Sequence, residues 1–266
     1  MTKLLLVGAG NMGYALLAGW MKMQDRPQVS VVEPYEALRD RAAGLASDAF
    51  ASLDHLAADY APDVVVLAVK PQVIADVLQG YRRFENACFV SVAAGTTLAT
   101  LAAGLGDVAI ARVMPNTPAA VGKGVFGMFS NDRTTAQQRE LVRDLLSTGG
   151  IVLEVATEAD IDRITAISGS GPAYVFHFIE ALTEAAKRIG LPEDIAAQAA
   201  RATVFGSASL AEQSAEDAAQ LRVNVTSPNG TTAAALDVLM GEGRMTSLMT
   251  KAAQAAFDRA QELARD

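Results

Sequence analysis

The chain has 266 residues, long enough for two domains, and a net charge of −8 from 22 Lys and Arg against 30 Asp and Glu. Hydrophobic residues make up 51% and charged residues 20%, a balance that supports a large core and excludes a disordered chain. The acidic balance, with no basic run, argues against nucleic acid as a partner, and a single cysteine, Cys88, excludes an internal disulfide and a cysteine–histidine zinc site.

In chain order, Lys3–Val7 reads as a strand and Asn11–Met23 as a helix. The apolar run Leu4–Val7 is too short for a signal-peptide core, and no stretch reaches the roughly 18 apolar residues of a membrane span. A soluble, cytoplasmic protein is expected, with no membrane partner. Val29–Glu33 is a second strand, followed by a helical stretch near Tyr35–Gly44. Asp63–Val69, Cys88–Ala93 and Val108–Val113 are short β-branched or apolar runs of the kind buried parallel strands show. Gly124–Phe129 alternates more, Thr134–Ser147 reads as a helix and Ile151–Val155 as a last strand. Strands alternating with helices predict an α/β domain built on a doubly wound parallel sheet over residues 1–155.

Beyond that point the strand signals stop, so residues 156–266 are expected to form an all-helical domain. Ile161–Ile167 starts a helix, and Pro172–Gly190 follows with Phe176, Ile179, Leu182, Ala186 and Ile189 on one stripe. His177, within that apolar helix, reads as a satisfied core residue. Gly190-Leu191-Pro192 is a helix stop followed by a start. Ile195–Leu210 is alanine-rich and apolar almost all round, which predicts burial on several sides, within the domain or between subunits. Thr232–Met240 and Met245–Ala264 complete the set.

Gly8-Ala9-Gly10-Asn11-Met12-Gly13 is a G-x-G-x-x-G loop placed directly between a strand and a helix, the context in which it holds a dinucleotide. Gly8 allows the tight turn, Gly10 lets the backbone approach a pyrophosphate, and Gly13 allows close helix–sheet packing. Free amides at the positive helix end then face the anion. Glu33 ends the second strand, where an acid accepts hydrogen bonds from ribose hydroxyls and repels a 2′-phosphate, favouring NADH. Arg39 and Arg41 follow within reach of a phosphate. Ligands of such sheets lie outside the strands' carboxyl ends. Three of those ends are rigid, small-residue segments: Ala68-Val69-Lys70-Pro71-Gln72, Ala93-Ala94-Gly95-Thr96-Thr97 and Arg112-Val113-Met114-Pro115-Asn116-Thr117-Pro118. Their backbones suit the wall of a flat nicotinamide ring. In the helical half, Ser168-Gly169-Ser170-Gly171-Pro172-Ala173-Tyr174 reads equally as a capped helix start. Val225-Thr226-Ser227-Pro228-Asn229-Gly230-Thr231-Thr232 gathers four hydroxyls at another helix start, more than one N-cap requires, and suits a carboxylate.

Taken together, GAGNMG, AVKPQ, RVMPNTPA, SGSGPAY and VTSPNGTT, in that order over nearly the whole chain, resemble pyrroline-5-carboxylate reductase. Asn229 stands where that family usually has a second glycine. The resemblance implies a Rossmann domain followed by helices that interlock two subunits, in a homodimer or a larger ring of dimers. It implies reduction of 1-pyrroline-5-carboxylate, a carboxylated cyclic imine, to L-proline, with NADPH or NADH as cofactor. It further implies that Gly8 to Gly13 hold the pyrophosphate, that Ala68, Val69, Lys70 and Pro71 with Ala93, Ala94 and Gly95 line the nicotinamide side, and that Glu158, Asn224, Thr231 and Thr232 contact substrate. Val225, Ser227, Gly230 and Thr231 belong to the expected carboxylate turn. Thr232 is the expected hydrogen-bond donor to the imine nitrogen. The family's frequent use of NADPH pulls against Glu33. Two other readings share the glycine loop. A β-hydroxyacid dehydrogenase needs a lysine where this chain has Val175, and a non-enzymatic dinucleotide sensor has no use for the hydroxyl turn.

Overall fold

A computed structural model describes residues 1–264. By internal contact it divides into residues 1–170 joined by the C-terminal segment from Ala256, and a second unit, Gly171–Ala255.

The first unit holds eight strands: β1 (Lys3–Val7), β2 (Gln28–Val32), β3 (Asp48–Phe50), β4 (Val64–Leu67), β5 (Cys88–Ser91), β6 (Ile110–Met114), β7 (Gly124–Ser130) and β8 (Gly150–Glu154). They form one sheet in the order β3-β2-β1-β4-β5-β6-β7-β8. Helices α1 (Asn11–Trp20), α2 (Glu36–Ala43), α3 (Pro71–Tyr81), α4 (Leu98–Leu105) and α5 (Ala136–Ser147) make the crossovers, and α6 (Ala159–Ile164) follows the last strand. The doubly wound expectation holds, with one local departure. β7 runs antiparallel to β6, whereas β8 is again parallel to β7. Only residues 115–123 join β6 to β7, too few for a parallel crossover, which takes about a dozen. The edge strand β3 and the helices α3 and α4 are additions to the sequence reading. β3 is three residues with an exposed Asp48 and carries no periodicity of its own.

Side chains of a strand point alternately to its two faces. Leu4, Leu6, Val64 and Val66 pack on one face with Trp20 and Phe126. Leu5, Val7, Val65 and Leu67 pack on the other with Ile74, Phe89 and Ile110. Covering both faces is why these strands read as unbroken apolar runs. Each such side chain contributes about 1.5–3 kcal/mol by leaving water. The Trp20 indole N–H donates to Leu145 O at 3.1 Å, so this large residue is buried without leaving a donor unpaired. Cys88 is buried in the same core, and burial pushes its thiol pKa up to about 12. It is an inert core thiol.

The first compact unit runs past the expected domain start at residue 156, as far as Ser170. Arg112 of β6 donates to Glu158 Oε1 at 2.9 Å and to Asp162 Oδ1 at 2.8 Å, tying α6 to the sheet. Gly127 of β7 has no room for a side chain because Ile164 lies over it, 2.8 Å from where a Cβ would stand. A π-helical turn, Thr165–Gly169, continues α6, and Asn116 Nδ2 donates to Ser168 O at 2.9 Å.

The second unit contains α7 (Gly171–Arg188), α8 (Glu193–Gln213), α9 (Ala218–Asn224), α10 (Thr231–Met240) and most of α11 (Arg244–Leu263). Gly190 adopts φ 102 at the end of α7, and Leu191 N–H donates to Ala186 O at 3.1 Å, closing the predicted helix stop. Helix α9 escaped the sequence reading because it is short. Its N-cap is Asp217, whose carboxylate accepts from Gln220 N–H at 2.8 Å. Burial in this unit is sparse. Within α8 only Ala196 and Ala200 are buried, and within α7 no residue is. Burial of α8 on several sides is therefore not met by the described residues of its own unit. Phe205 is 74% exposed and Ile189 83%. His177, expected in a core, is corrected to an exposed helix position with Nδ1 3.2 Å from Glu180 Oε2. The stripe on the same helix turns only Ile179, Leu182 and Ala186 partly inward. Among the described residues no helix is long and apolar enough to cross a membrane.

Candidate active site

The glycine loop carries its steric logic into three dimensions. Gly8 has φ 92, a region that favours glycine, and a Cβ there would stand 2.8 Å from Ala68 O. A Cβ on Gly13 would collide with Gly8 O. Around Gly10 nothing lies within 4 Å of such a position. The two outer glycines are thus required by close packing, and the middle one faces open space. Gly10 caps α1 without any side-chain bond, so the first amides of α1 are free to face an anion. The residues present fit a dinucleotide's pyrophosphate.

Beside the loop, the carboxyl ends of β1, β2 and β4 enclose a cavity of about 670 Å³. Gly8, Gly10, Glu33, Ala68, Val69 and Lys70 line it, bringing together six of the residues picked from the sequence. The volume falls in the usual range of a small-molecule site. Pro71 occupies the first turn of α3, with Lys70 as its exposed N-cap. Ala93 is buried, Ala94 exposed, and Gly95 turns at φ 73. A Cβ on Gly95 would stand 3.0 Å from Leu263 O, so the end of α11 packs on this turn. The cavity also recruits Ser52, Leu53 and Asp54 after β3, and Val73, Val77 and Tyr81 along α3. These escaped the sequence reading. Pro71 at a helical N1 position was the available signal for α3. Burial pushes the Tyr81 phenol pKa well above its ordinary value.

Glu33, the expected ribose acceptor, also bonds the backbone around it. It is 3% exposed, and its carboxylate lies under the loop, accepting Ala9 N–H at 2.7 Å and Tyr35 N–H at 3.0 Å. Arg39 donates to the carbonyls of Glu33 and Pro34, both at 3.1 Å. Arg41 donates to Ala9 O at 2.8 Å. The two arginines thus bond backbone carbonyls. Glu158, expected at the substrate, has Oε1 bonded to Leu98 N–H at 2.7 Å as well as to Arg112. It closes the N-terminus of α4 and joins it to β6.

The hydroxyl turn lies in the second unit, between α9 and α10. Asn229 takes φ 58, in the left-handed region that Asn adopts more readily than other side chains. Ser227 Oγ occupies the space where a Gly230 side chain would be, so a larger residue there would push this hydroxyl aside. Gly230 caps α10 with no side-chain bond, leaving the amides of Thr231 and Thr232 at an open helix end. Ser227 and Thr231 are exposed and Thr232 is half-buried. Thr226 is occupied elsewhere, its hydroxyl donating to Arg222 O at 2.6 Å. Asn224 bonds Gln220 and Glu216, at 2.8 and 2.7 Å. Val225 ends α9 and is 63% exposed.

Known proteins match both halves. A family model described as pyrroline-5-carboxylate reductase dimerisation matches residues 158–263, and one described as NADP oxidoreductase coenzyme F420-dependent matches residues 3–95. The pyrroline-5-carboxylate reductase of Pseudomonas aeruginosa is 40% identical, over 98% of this chain and 97% of its own. The chain belongs to the pyrroline-5-carboxylate reductase family. Among solved structures, the pyrroline-5-carboxylate reductase of Coxiella burnetii aligns with a TM-score of 0.91 at 34% identity, over 99% of this chain and 98% of that one. The Plasmodium falciparum pyrroline carboxylate reductase with NADP bound aligns with a TM-score of 0.83 at 30% identity, over the same shares.

Proposed function

We propose that the chain reduces 1-pyrroline-5-carboxylate to L-proline with NADPH or NADH. The observation that carries this reading is the open N-terminus of α10, where Ser227, Gly230, Thr231 and Thr232 stand in a chain that is a full-length relative of these reductases. Bound at the glycine loop, the dinucleotide supplies a hydride. The chain's own residues hold and polarise the acceptor. Exposed hydroxyls of Ser227 and Thr231, with the free amides after Gly230, take the substrate carboxylate, as a positive helix end favours. The Thr232 hydroxyl donates a hydrogen bond to the imine nitrogen, which draws charge from the carbon that accepts hydride. The carbon takes the hydride and the nitrogen takes a proton from solvent while Thr232 keeps its own, so the step consumes an acid and asks for no histidine base. Orientation and electrostatics are the protein's contribution.

The exposed apolar face of α7 and α8 supports a homodimer as the working unit, with assembly into a ring of dimers as its extension. The cytoplasm, where the lone thiol stays reduced, is the compartment this reading favours.

The deciding assay follows NADPH and NADH oxidation with 1-pyrroline-5-carboxylate, beside NAD(P)-dependent oxidation of 3-hydroxyisobutyrate. Oxidation that depends on the cyclic imine is expected, and none with the hydroxy acid. A folded protein that turns over neither substrate overturns the proposal in favour of a dinucleotide sensor.

A further inference from the structure

We propose that Arg41 is a positioning residue: it locks the Ala9–Gly10 peptide so that the Gly10 amide faces the dinucleotide pyrophosphate. Arg41 lies in the last turn of α2 and reaches back to the loop. Its Nη2 donates to Ala9 O at 2.8 Å and approaches Gly10 O at 3.4 Å. Its guanidinium carbon stands 4.1 Å from the centre of the Tyr14 ring, on the first turns of α1. Stacking of this kind orients the planar fork. On the other side of Ala9, Glu33 accepts the Ala9 N–H at 2.7 Å. Ala9 is therefore gripped at both its amide and its carbonyl.

The consequence follows from peptide geometry. A trans peptide is planar, and its C=O and N–H point in opposite directions. Fixing Ala9 C=O on Arg41 aims the Gly10 N–H the other way. That N–H has no acceptor among the described residues, and nothing stands within 4 Å of where a Gly10 Cβ would be. Glycine makes rotation of this peptide cheap. A flipped peptide would turn a carbonyl, the negative end of the dipole, toward a pyrophosphate. Arg41 holds the unflipped form. It also explains why an acid and a base both flank the loop: Glu33 and Arg41 hold adjacent backbone groups of one residue.

This rests on the loop's being the dinucleotide site, so binding is measured directly, without substrate. The full-length protein and its R41A and R41K variants are titrated with NADPH and with NADH, followed by nicotinamide fluorescence, with thermal unfolding as a fold control. A positioning role through the pyrophosphate predicts that R41A weakens both dinucleotides by the same factor, about tenfold for one charge-assisted bond. The cofactor KM rises in step, while kcat at saturating cofactor and the KM for the cyclic imine stay put. R41K recovers part of the loss, because a lysine keeps the charge but does not span two carbonyls and a ring. Weakening of NADPH alone would reveal a direct 2′-phosphate contact and overturn the proposal. So would unchanged affinity for both, or a lowered unfolding temperature with affinity intact. A wild-type chain that binds neither dinucleotide removes the site itself and the Arg41 role with it.

Discussion

At the scale of single residues, Thr232 carries the sharpest consequence. It is half-buried at the open end of α10, and a lone hydrogen-bond donor to a developing charge is worth on the order of 2–4 kcal/mol of barrier. Thr232→Ala should lower turnover more than tenfold in a steady-state assay with the fold intact, and near-normal turnover would remove Thr232 from this role. Glu33 makes a different prediction. Its oxygens already accept two backbone amides, yet each carboxylate oxygen has a second lone pair, and its charge stands at the carboxyl end of β2 beside the cavity, where the proposed dinucleotide would place its ribose. NADH should therefore be a usable cofactor, with a rate comparable to that with NADPH. A negligible NADH rate would show that the carboxylate serves the loop alone. Residue type was legible in both cases. What lay beyond the sequence was the partner: the sequence shows an acid at the end of a strand, and folding places that acid against the amide of Ala9.

At the scale of elements, Arg112 joins β6, α4 and α6 through two carboxylates. Its side chain is 5% exposed, against 30% for Glu158 and 13% for Asp162. Removing one member of a buried ionic cluster leaves charge without compensation and costs about 3–5 kcal/mol. Arg112→Ala should lose several kcal/mol in urea unfolding. A loss under about 1 kcal/mol would place the cluster among weak surface pairs. This cluster ties the residues after β8 to the sheet that precedes them, so the first compact unit runs on to Ser170. Strand and helix periodicities were readable one element at a time, since each is a local pattern. Hydrogen bonds between residues 46 and 60 positions apart, as from Arg112 and Leu98 to Glu158, leave no local trace. Short elements such as β3 and α9 escaped for the opposite reason: they are too brief to show a period.

At the scale of the whole molecule, the apolar face of α8 is left exposed among the described residues. Phe205 is 74% exposed and Leu210 56%, in a region matched by the family's dimerisation model. Exposed aromatic and aliphatic side chains in this number mark an association surface. Phe205→Glu should shift the protein from dimer toward monomer by light scattering at micromolar concentration, since an unpaired charge is costly in an apolar interface. A dimer that withstands the change would place the interface elsewhere. An alanine-rich helix apolar all round signals burial on several sides, and the sequence pattern leaves open whose atoms bury it. His177 shows the same limit, for an apolar neighbourhood in sequence became an exposed helix face in the single chain.

The sequence by itself determined the α/β class, the strand-by-strand alternation and the family, because these depend on local patterns and on short motifs whose residues act together. It also determined which glycines the first loop needs, since steric demand at a tight turn is a property of the turn. The tertiary structure alone decided what the charged residues do. Glu33 and Arg41 bind the backbone of one residue, Glu158 closes a helix and pairs with Arg112, and Arg39 bonds carbonyls. A charge acts on whatever lies a few ångströms away, and only the folded chain brings positions this far apart in sequence to that distance.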